Sequence, residues 1–167
     1  MKTIFYLLVI ASLAPLIATA RASEKQLVGW FEKARIFPGG YEISAKVDTG
    51  ADHSSLNVSE LTLFHHEGKE WVRFTVIDDH GKQHKLEREL LRLAKIKRHL
   101  APGQERPAVL LGICVGSQYR EVQVNLVDRG KFKFPLLLGR SFLSDAFIVD
   151  ASKSYALEPD CPGAPVE

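Results

Sequence analysis

Two cysteines and one methionine stand in a chain of 167 residues, and neither charge is in excess: 22 Lys and Arg face 20 Asp and Glu. Two cysteines are too few for a framework of many disulfides. A charge balance this even argues against a nucleic-acid-binding stripe. Beyond the first 22 residues no apolar run is long enough to span a bilayer. No internal repeat is present, so nothing in the chain is a duplicated half of anything else. Signature motifs are missing too. There is no G-x-x-x-x-G-K-[ST] loop for ATP and no G-x-S-x-G elbow for a serine nucleophile. The six histidines form no H-E-x-x-H pair. His80 and His84 have the spacing, but Gly81 follows His80 and the segment reads as a hairpin. His65 and His66 are adjacent and cannot both chelate from one helix face. No metal and no cofactor are expected. What remains is an ordinary globular composition, 46% hydrophobic and 25% charged, which excludes a disordered or collagen-like chain.

The N-terminus is the exception. Lys2 precedes an almost wholly apolar stretch from Ile4 to Ala20, and small residues follow at Ala18, Ala20 and Ala22. This is the layout of a secretory signal peptide over residues 1–22. The expected location is periplasmic or secreted, with no membrane attachment after cleavage. Cleavage after Ala22 removes Lys2 and Arg21 and leaves 20 basic and 20 acidic side chains. Export changes how the cysteines read. Two arrangements stay open: Cys114 paired with Cys161, or a buried Cys114 thiol beside a loose Cys161.

The rest is patterned mostly as strand. Ile43 to Val47 alternates and runs into Asp48-Thr49-Gly50. Val72, Phe74 and Val76 share one face of a strand over 71–77. Asp78 to Gly81 is a turn signal, and Lys82 to Glu87 returns as the second arm of a hairpin. Val109 to Val115 is a continuous apolar strand. Val122, Val124 and Leu126 alternate with polar neighbours, and Phe134 to Leu138 is a further strand closed by Gly139. Helical signal is confined to a short turn over 59–66 and a short helix over 140–146. Lys95 to Pro107, basic and with two prolines, reads as an exposed loop. Residues 158–167, rich in Pro and acidic residues, read as a flexible tail after a single domain over 23–157. Asp128 and Asp150 lie near strand ends, where turn and capping roles suit them.

One constellation carries chemistry. Asp48-Thr49-Gly50-Ala51 directly follows a hydrophobic strand, and Leu136-Leu137-Leu138-Gly139-Arg140 comes about ninety residues later. Together they resemble the aspartic proteases of the retropepsin type. Across roughly Gly29 to Leu157 the order of parts agrees with that family as well. The resemblance is closer to the bacterial retropepsin-like family often labelled "ATP-dependent zinc protease", which is linked by name and neighbourhood to ribosomal-protein glutamate ligases. Gly29-Trp30, Ala45 to Ala51, Trp71 to Phe74, Asp128-Arg129, Pro135 to Arg140 and Val149 to Lys153 are similar to its landmarks. Asp52-His53-Ser54-Ser55 departs from the Arg-Thr-Ser expected there. Asp52 instead looks like the viral enzymes, in which that acid pairs with the Arg of the Gly-Arg motif.

The resemblance implies a mostly β fold: a small closed acid-protease barrel with a flap hairpin and one short helix. It implies a peptide or protein substrate and Asp48 as the catalytic carboxylate. Thr49, Gly50 and Ala51 would shape the turn, with Asp52, Gly139 and Arg140 in support and Asp79, His80 and Gly81 at the flap. Peptide hydrolysis by carboxylates needs two of them sharing one proton. This chain has a single Asp-Thr-Gly, so the second must come from another copy, which makes the protein a homodimer. Two other readings stand beside the endopeptidase. One is a non-catalytic domain that binds extended peptides. The other is a zinc-dependent hydrolase, as the family label suggests.

Overall fold

The computed structural model describes residues 24–98, 101–128 and 133–165; the expected signal peptide lies outside them. Twelve strands and one short helix are present among the described residues. Six strands close a barrel in the order β10 (Gln118–Val127), β4 (Ser54–Asn57), β11 (Leu136–Leu138), β3 (Tyr41–Val47), β2 (Phe31–Phe37) and β9 (Ala101–Val115), with β9 returning to β10. Closure removes the open edges that a six-stranded sheet would otherwise expose. The expected mostly β closed barrel with one short helix is the fold observed.

Alternation explains the core. Ile36, Ile43, Leu56, Leu111, Ile113, Leu126, Leu136 and Leu138 are all buried inside the barrel. Each lies on the inward parity of its strand. The short helix α1 (Arg140–Leu143) inserts Phe142, which is fully buried. Burying a Phe side chain contributes about 2–3 kcal/mol, which fastens a helix of one turn that could not stand alone.

Outside the barrel, β5 (Ser59–His66), β6 (Lys69–Ile77) and β7 (Gln83–Glu89) form an antiparallel sheet. Val72, Phe74, Val76 and Leu86 from this sheet join the same apolar core as the barrel. The short turn expected over 59–66 is therefore a strand, fixed by pairing with β6 from Ser59 to His66. A two-stranded parallel ribbon joins β1 (Gln26–Val28) to β12 (Phe147–Val149). None of the helices in the described residues is long and apolar enough to cross a membrane.

Two further expectations are corrected. The loop expected over Lys95 to Pro107 is a hairpin: β8 (Arg92–Arg98) pairs with the first half of β9 from Arg92–Ala108 to Arg98–Ala101. The loose tail expected after residue 157 is tethered as far as it is described. Cys161 is disulfide-bonded to Cys114, the Asp160 amide donates to the Gly116 carbonyl at 2.7 Å, and Pro159 is buried.

Candidate active site

Asp48 leaves β3 at the point where β3 runs parallel to β11. Its amide donates to the Leu138 carbonyl at 2.9 Å. Ile43, Ala45 and Val47 point into the core, so Ser44, Lys46 and Asp48 point outward. The Gly50 amide donates to Asp48 Oδ1 at 2.9 Å, and the Ala51 amide to the Asp48 carbonyl at 3.3 Å. One carboxylate oxygen is thus held by the turn itself. A Cβ on Gly50 would come within 3.1 Å of that oxygen and crowd the carboxylate.

Beneath the turn lies the Gly139–Arg140 junction. The Arg140 amide donates to the Ala51 carbonyl at 2.9 Å, the Ser141 amide to the Asp52 carbonyl at 3.0 Å, and the Gly139 amide to Ser54 Oγ at 3.2 Å. A Cβ on Gly139 would lie 2.6 Å from the His53 carbonyl carbon and 2.7 Å from its oxygen. Both are backbone atoms with nowhere to go, which is why glycine stands here. The Arg140 guanidinium is ion-paired with Asp52 and donates to the Thr49 carbonyl at 2.9 Å. Asp48, Thr49, Gly50, Ala51, Asp52, Gly139 and Arg140 therefore meet in one place. Thr49 is exposed, and it is its carbonyl that Arg140 engages.

Asp79, His80 and Gly81 do not join them. The Asp78–Lys82 turn is fastened to the barrel wall. Asp79 accepts from the Ser44 amide at 2.9 Å and from Ser44 Oγ at 2.7 Å, and the Asp79 amide donates to the Glu42 carbonyl at 3.2 Å. Ser44 is four residues from Asp48, about 13 Å along an extended strand. Asp78 accepts from the His80 and Lys82 amides and lies 2.7 Å from His84 Nε2. His84 in turn stacks on Tyr41 with ring centres 3.8 Å apart. Burial works to raise the Asp78 carboxyl, but His84 and the two amides outweigh it and hold it below the ordinary carboxylate range. The hairpin that borders the Asp48 turn is instead β8–β9. Arg92, Ala94 and Lys95 from β8 and Arg106 from β9 share a cavity of about 390 Å³ with Ala51, Asp52 and His53. His53 Nδ1 is enclosed there without a hydrogen-bond partner among the described residues.

A second cavity of about 310 Å³ holds Lys46, Lys133, Phe134 and Pro135, and shares Ser55 and Leu137 with the first. The two make one groove on the outward face of β3, β11 and β4. Lysines and arginines line it, and Asp52, already engaged by Arg140, is the acid among its lining residues. The Lys133 ammonium also lies 5.3 Å from the Phe134 ring centre. Sequence reasoning missed these cations. Lys46 was within reach, because it has the same outward parity as Asp48; Arg92, Lys95 and Arg106 were hidden in and beside the supposed loop.

No group of three or more His, Cys, Asp and Glu side chains among the described residues is arranged to hold a metal ion. Asp150 caps a turn as expected, accepting from the Ser152 amide at 2.9 Å and Ser152 Oγ at 2.6 Å. Those two bonds lower its pKa.

Residues 27–159 match the RimB-like family, described as "Retropepsin-like aspartic endopeptidase RimB". A crystal structure of a Legionella pneumophila protein of unknown function superposes with a TM-score of 0.68 at 34% identity, over 80% of this chain and 98% of that one. A probable alpha-L-glutamate ligase from Shewanella pealeana is 29% identical over 118 residues, 69% of this chain and 26% of the ligase. One from Desulfotalea psychrophila is 27% identical over 118 residues, 69% of this chain and 25% of the ligase. The chain thus spans about a quarter of the length of these curated relatives.

Proposed function

This chain belongs to the RimB-like, retropepsin-like family, and from that premise we propose that it is an exported aspartic endopeptidase, working as a homodimer on acidic peptides. The observation that carries the reading is the Asp48 turn, closed on itself through Gly50 and clamped from below by Gly139 and Arg140. Such a turn holds one carboxylate rigidly between Lys46 and Ala51, which line the groove. Two copies related by a two-fold axis would bring two such carboxylates together.

Like charges at close range cannot both ionise easily, so the pair keeps one proton between them. The ionised Asp48 takes a proton from a water as that water attacks the scissile carbonyl carbon. The protonated Asp48 donates its hydrogen to the carbonyl oxygen. A tetrahedral diol forms. Its collapse passes a proton to the departing amide nitrogen, breaks the C–N bond and restores the singly protonated pair. Gly50's amide keeps one Asp48 oxygen occupied, which orients the other toward the water. The β8–β9 hairpin, bordering the groove, is the element that would close over the chain being cut.

The substrate class follows from charge. Lys46, Lys133, Arg92 and Lys95 line the groove, and Asp52 is already engaged by Arg140. An acidic side chain bound there gains charge-assisted hydrogen bonds, whereas a basic one meets like charge. The relatives named as probable alpha-L-glutamate ligases agree in kind, since glutamate is itself acidic. Export rests on the apolar Ile4–Ala20 segment and on the Cys114–Cys161 bond, which persists in oxidising compartments. The experiment is cleavage of a glutamate-rich peptide by protein recovered from the cell envelope, wild type against Asp48→Asn. Wild-type cleavage that Asp48→Asn abolishes supports the reading. Binding of the peptide without cleavage by the wild type would make the groove a peptide-docking site.

A further inference from the structure

Residues 150–161 form neither strand nor helix, yet they grip the start of the fold at every second or third position. The Asp150 amide donates to the Val28 carbonyl at 2.8 Å, and the Trp30 amide to the Lys153 carbonyl at 2.9 Å. The Tyr155 amide donates to the Phe31 carbonyl at 2.7 Å. Gly29 sits so close under the Lys153 carbonyl that any Cβ there would collide with it. This strap therefore lies along residues 28–32 in the same chain direction.

Its seat is a buried acid. Glu32 is fully buried, and its carboxylate accepts from the Gly29 amide at 2.5 Å and from the Ala156 and Leu157 amides, both at 3.1 Å. Two of these three donors belong to the strap. If the strap lifts, a buried carboxyl group keeps one donor, and the surrounding chain must open to water or bear the desolvation. Four residues beyond Leu157 the strap ends at Cys161, bonded to Cys114 on β9. Cys114 is fully buried, whereas Cys161 is half-buried.

The strap also reaches the Asp48 turn. Trp30 stands between them: its amide donates to Lys153, and its carbonyl accepts from the Val47 amide at 2.9 Å. Val47 is the residue before Asp48. One backbone unit thus separates the strap from the candidate catalytic turn.

We propose that the Cys114–Cys161 bond is a redox-sensitive clamp: oxidised, it holds the strap on Glu32 and Trp30 and so keeps the Asp48 turn in place; reduced, it releases the strap and slackens the turn. The chemistry is thiol–disulfide exchange. A thiolate of an external dithiol attacks Sγ of Cys161, forming a mixed disulfide and expelling the Cys114 thiolate, which takes up a proton. The dithiol's second sulfur then attacks the mixed disulfide, closes its own ring and releases Cys161. Two electrons and two protons pass to the protein, and the dithiol becomes a disulfide. The reverse exchange, with an oxidising disulfide, sets the clamp. The chain would then be slack in a thiol-reducing compartment and firm in an oxidising one. The effect on the strap stands by itself; the effect on catalysis rests on the endopeptidase reading above.

The test compares the protein recovered from its producing cells, oxidised, with the same protein reduced by dithiothreitol, and with Cys161→Ser. Amide hydrogen exchange is followed by mass spectrometry, beside cleavage of a glutamate-rich peptide. In the reduced protein, exchange over residues 28–32 and 150–157 should rise about a hundredfold, while β9 and β10 stay protected. Cleavage should fall about tenfold or more, and reoxidation should restore both. Cys161→Ser should behave as the reduced wild type; if it does not fold, reversible reduction of the wild type still decides. Unchanged exchange over 150–157 overturns the clamp. So does a rise everywhere, β9 and β10 included, because the bond is then a staple for the whole fold. Faster strap exchange with undiminished cleavage overturns the link to the Asp48 turn. Faster strap exchange in a protein that cleaves nothing even when oxidised upholds the clamp and counts against the endopeptidase reading instead.

Discussion

The Arg140 guanidinium is ion-paired with the Asp52 carboxylate and, through its other nitrogen, bound to the Thr49 carbonyl at 2.9 Å. One side chain from the short helix therefore grips both flanks of the Asp48 turn. Both partners are substantially exposed, so the ion pair by itself contributes little to stability, on the order of 0–1 kcal/mol. Its effect is positional. Arg140→Ala should lower the unfolding free energy by about 1 kcal/mol and reduce peptide cleavage by about a hundredfold. Arg140→Lys should recover the stability and little of the activity, because an ammonium cannot span two acceptors as a planar guanidinium does. Thermal unfolding beside cleavage rates checks this; equal activity in Arg140→Ala and wild type would remove the clamp from the account.

Gly139 gives a packing prediction. A Cβ there meets the His53 backbone at 2.6 and 2.7 Å, and backbone cannot rotate away as a side chain can. Gly139→Ala should destabilise the fold by about 2 kcal/mol, within the range for overpacked sites, and lower Tm by roughly 5–10 °C. Differential scanning calorimetry measures it. A Tm within about one degree of wild type would mean that the Gly139 and His53 backbones are not so closely packed.

Much of this geometry was legible beforehand. Alternation at Val72, Phe74 and Val76, and at Val122, Val124 and Leu126, marked the inward faces of β6 and β10, because a half-buried strand has a period of two. The Asp-Thr-Gly and Gly-Arg segments came together as their resemblance implied. The β8–β9 hairpin was not legible. Its arms carry Pro102, Pro107 and several cations, a composition that also describes a loop. Cross-strand pairing decided otherwise, with Pro107 opposite Leu93. The attachment of the 78–81 turn was hidden for a related reason. Asp78 to Gly81 has strong turn chemistry, but Asp79 spends its carboxylate on Ser44, a long-range bond that no local pattern reports. The cysteine pairing was legible only as one of two arrangements, since it depends on a strap without regular structure.

The Asp78 anchor gives a prediction in pH. Its folded carboxyl is held below the ordinary range, so the fold prefers the charged form. That stability is fully present above the unfolded value, near pH 4. It is lost as pH falls through the lower folded value. Exchange of the His80 and Lys82 amides, both donors to Asp78, should accelerate below about pH 4 beyond the intrinsic pH trend. Asp78→Ala, which removes the acceptor, should exchange fast already at neutral pH and lose this acid step. Identical exchange profiles for the two proteins would show that Asp78 does not anchor the turn.

Lys46 tests the substrate class. It shares the outward face of β3 with Asp48 and lines the groove with Lys133. Lys46→Met keeps most of the length and removes the charge. It should lower kcat/KM for a glutamate-rich peptide about tenfold, the cost of one charge-assisted hydrogen bond. An uncharged peptide of the same length should be cut equally by both proteins. A parallel loss on both peptides would mean that Lys46 supports the turn and does not read substrate charge.

The central claim is that two Asp48 carboxylates, one from each of two copies, act as a pair. Mixing tests it most directly. Wild type and Asp48→Asn are combined in equal amounts, allowed to exchange protomers, and assayed on a glutamate-rich peptide against undiluted wild type. If the site is shared, only dimers with two intact Asp48 residues turn over, and the mixture should show about one quarter of the wild-type rate for the same total protein. About one half of that rate would mean that each copy works with its own Asp48 alone, and the shared-site account would be contradicted.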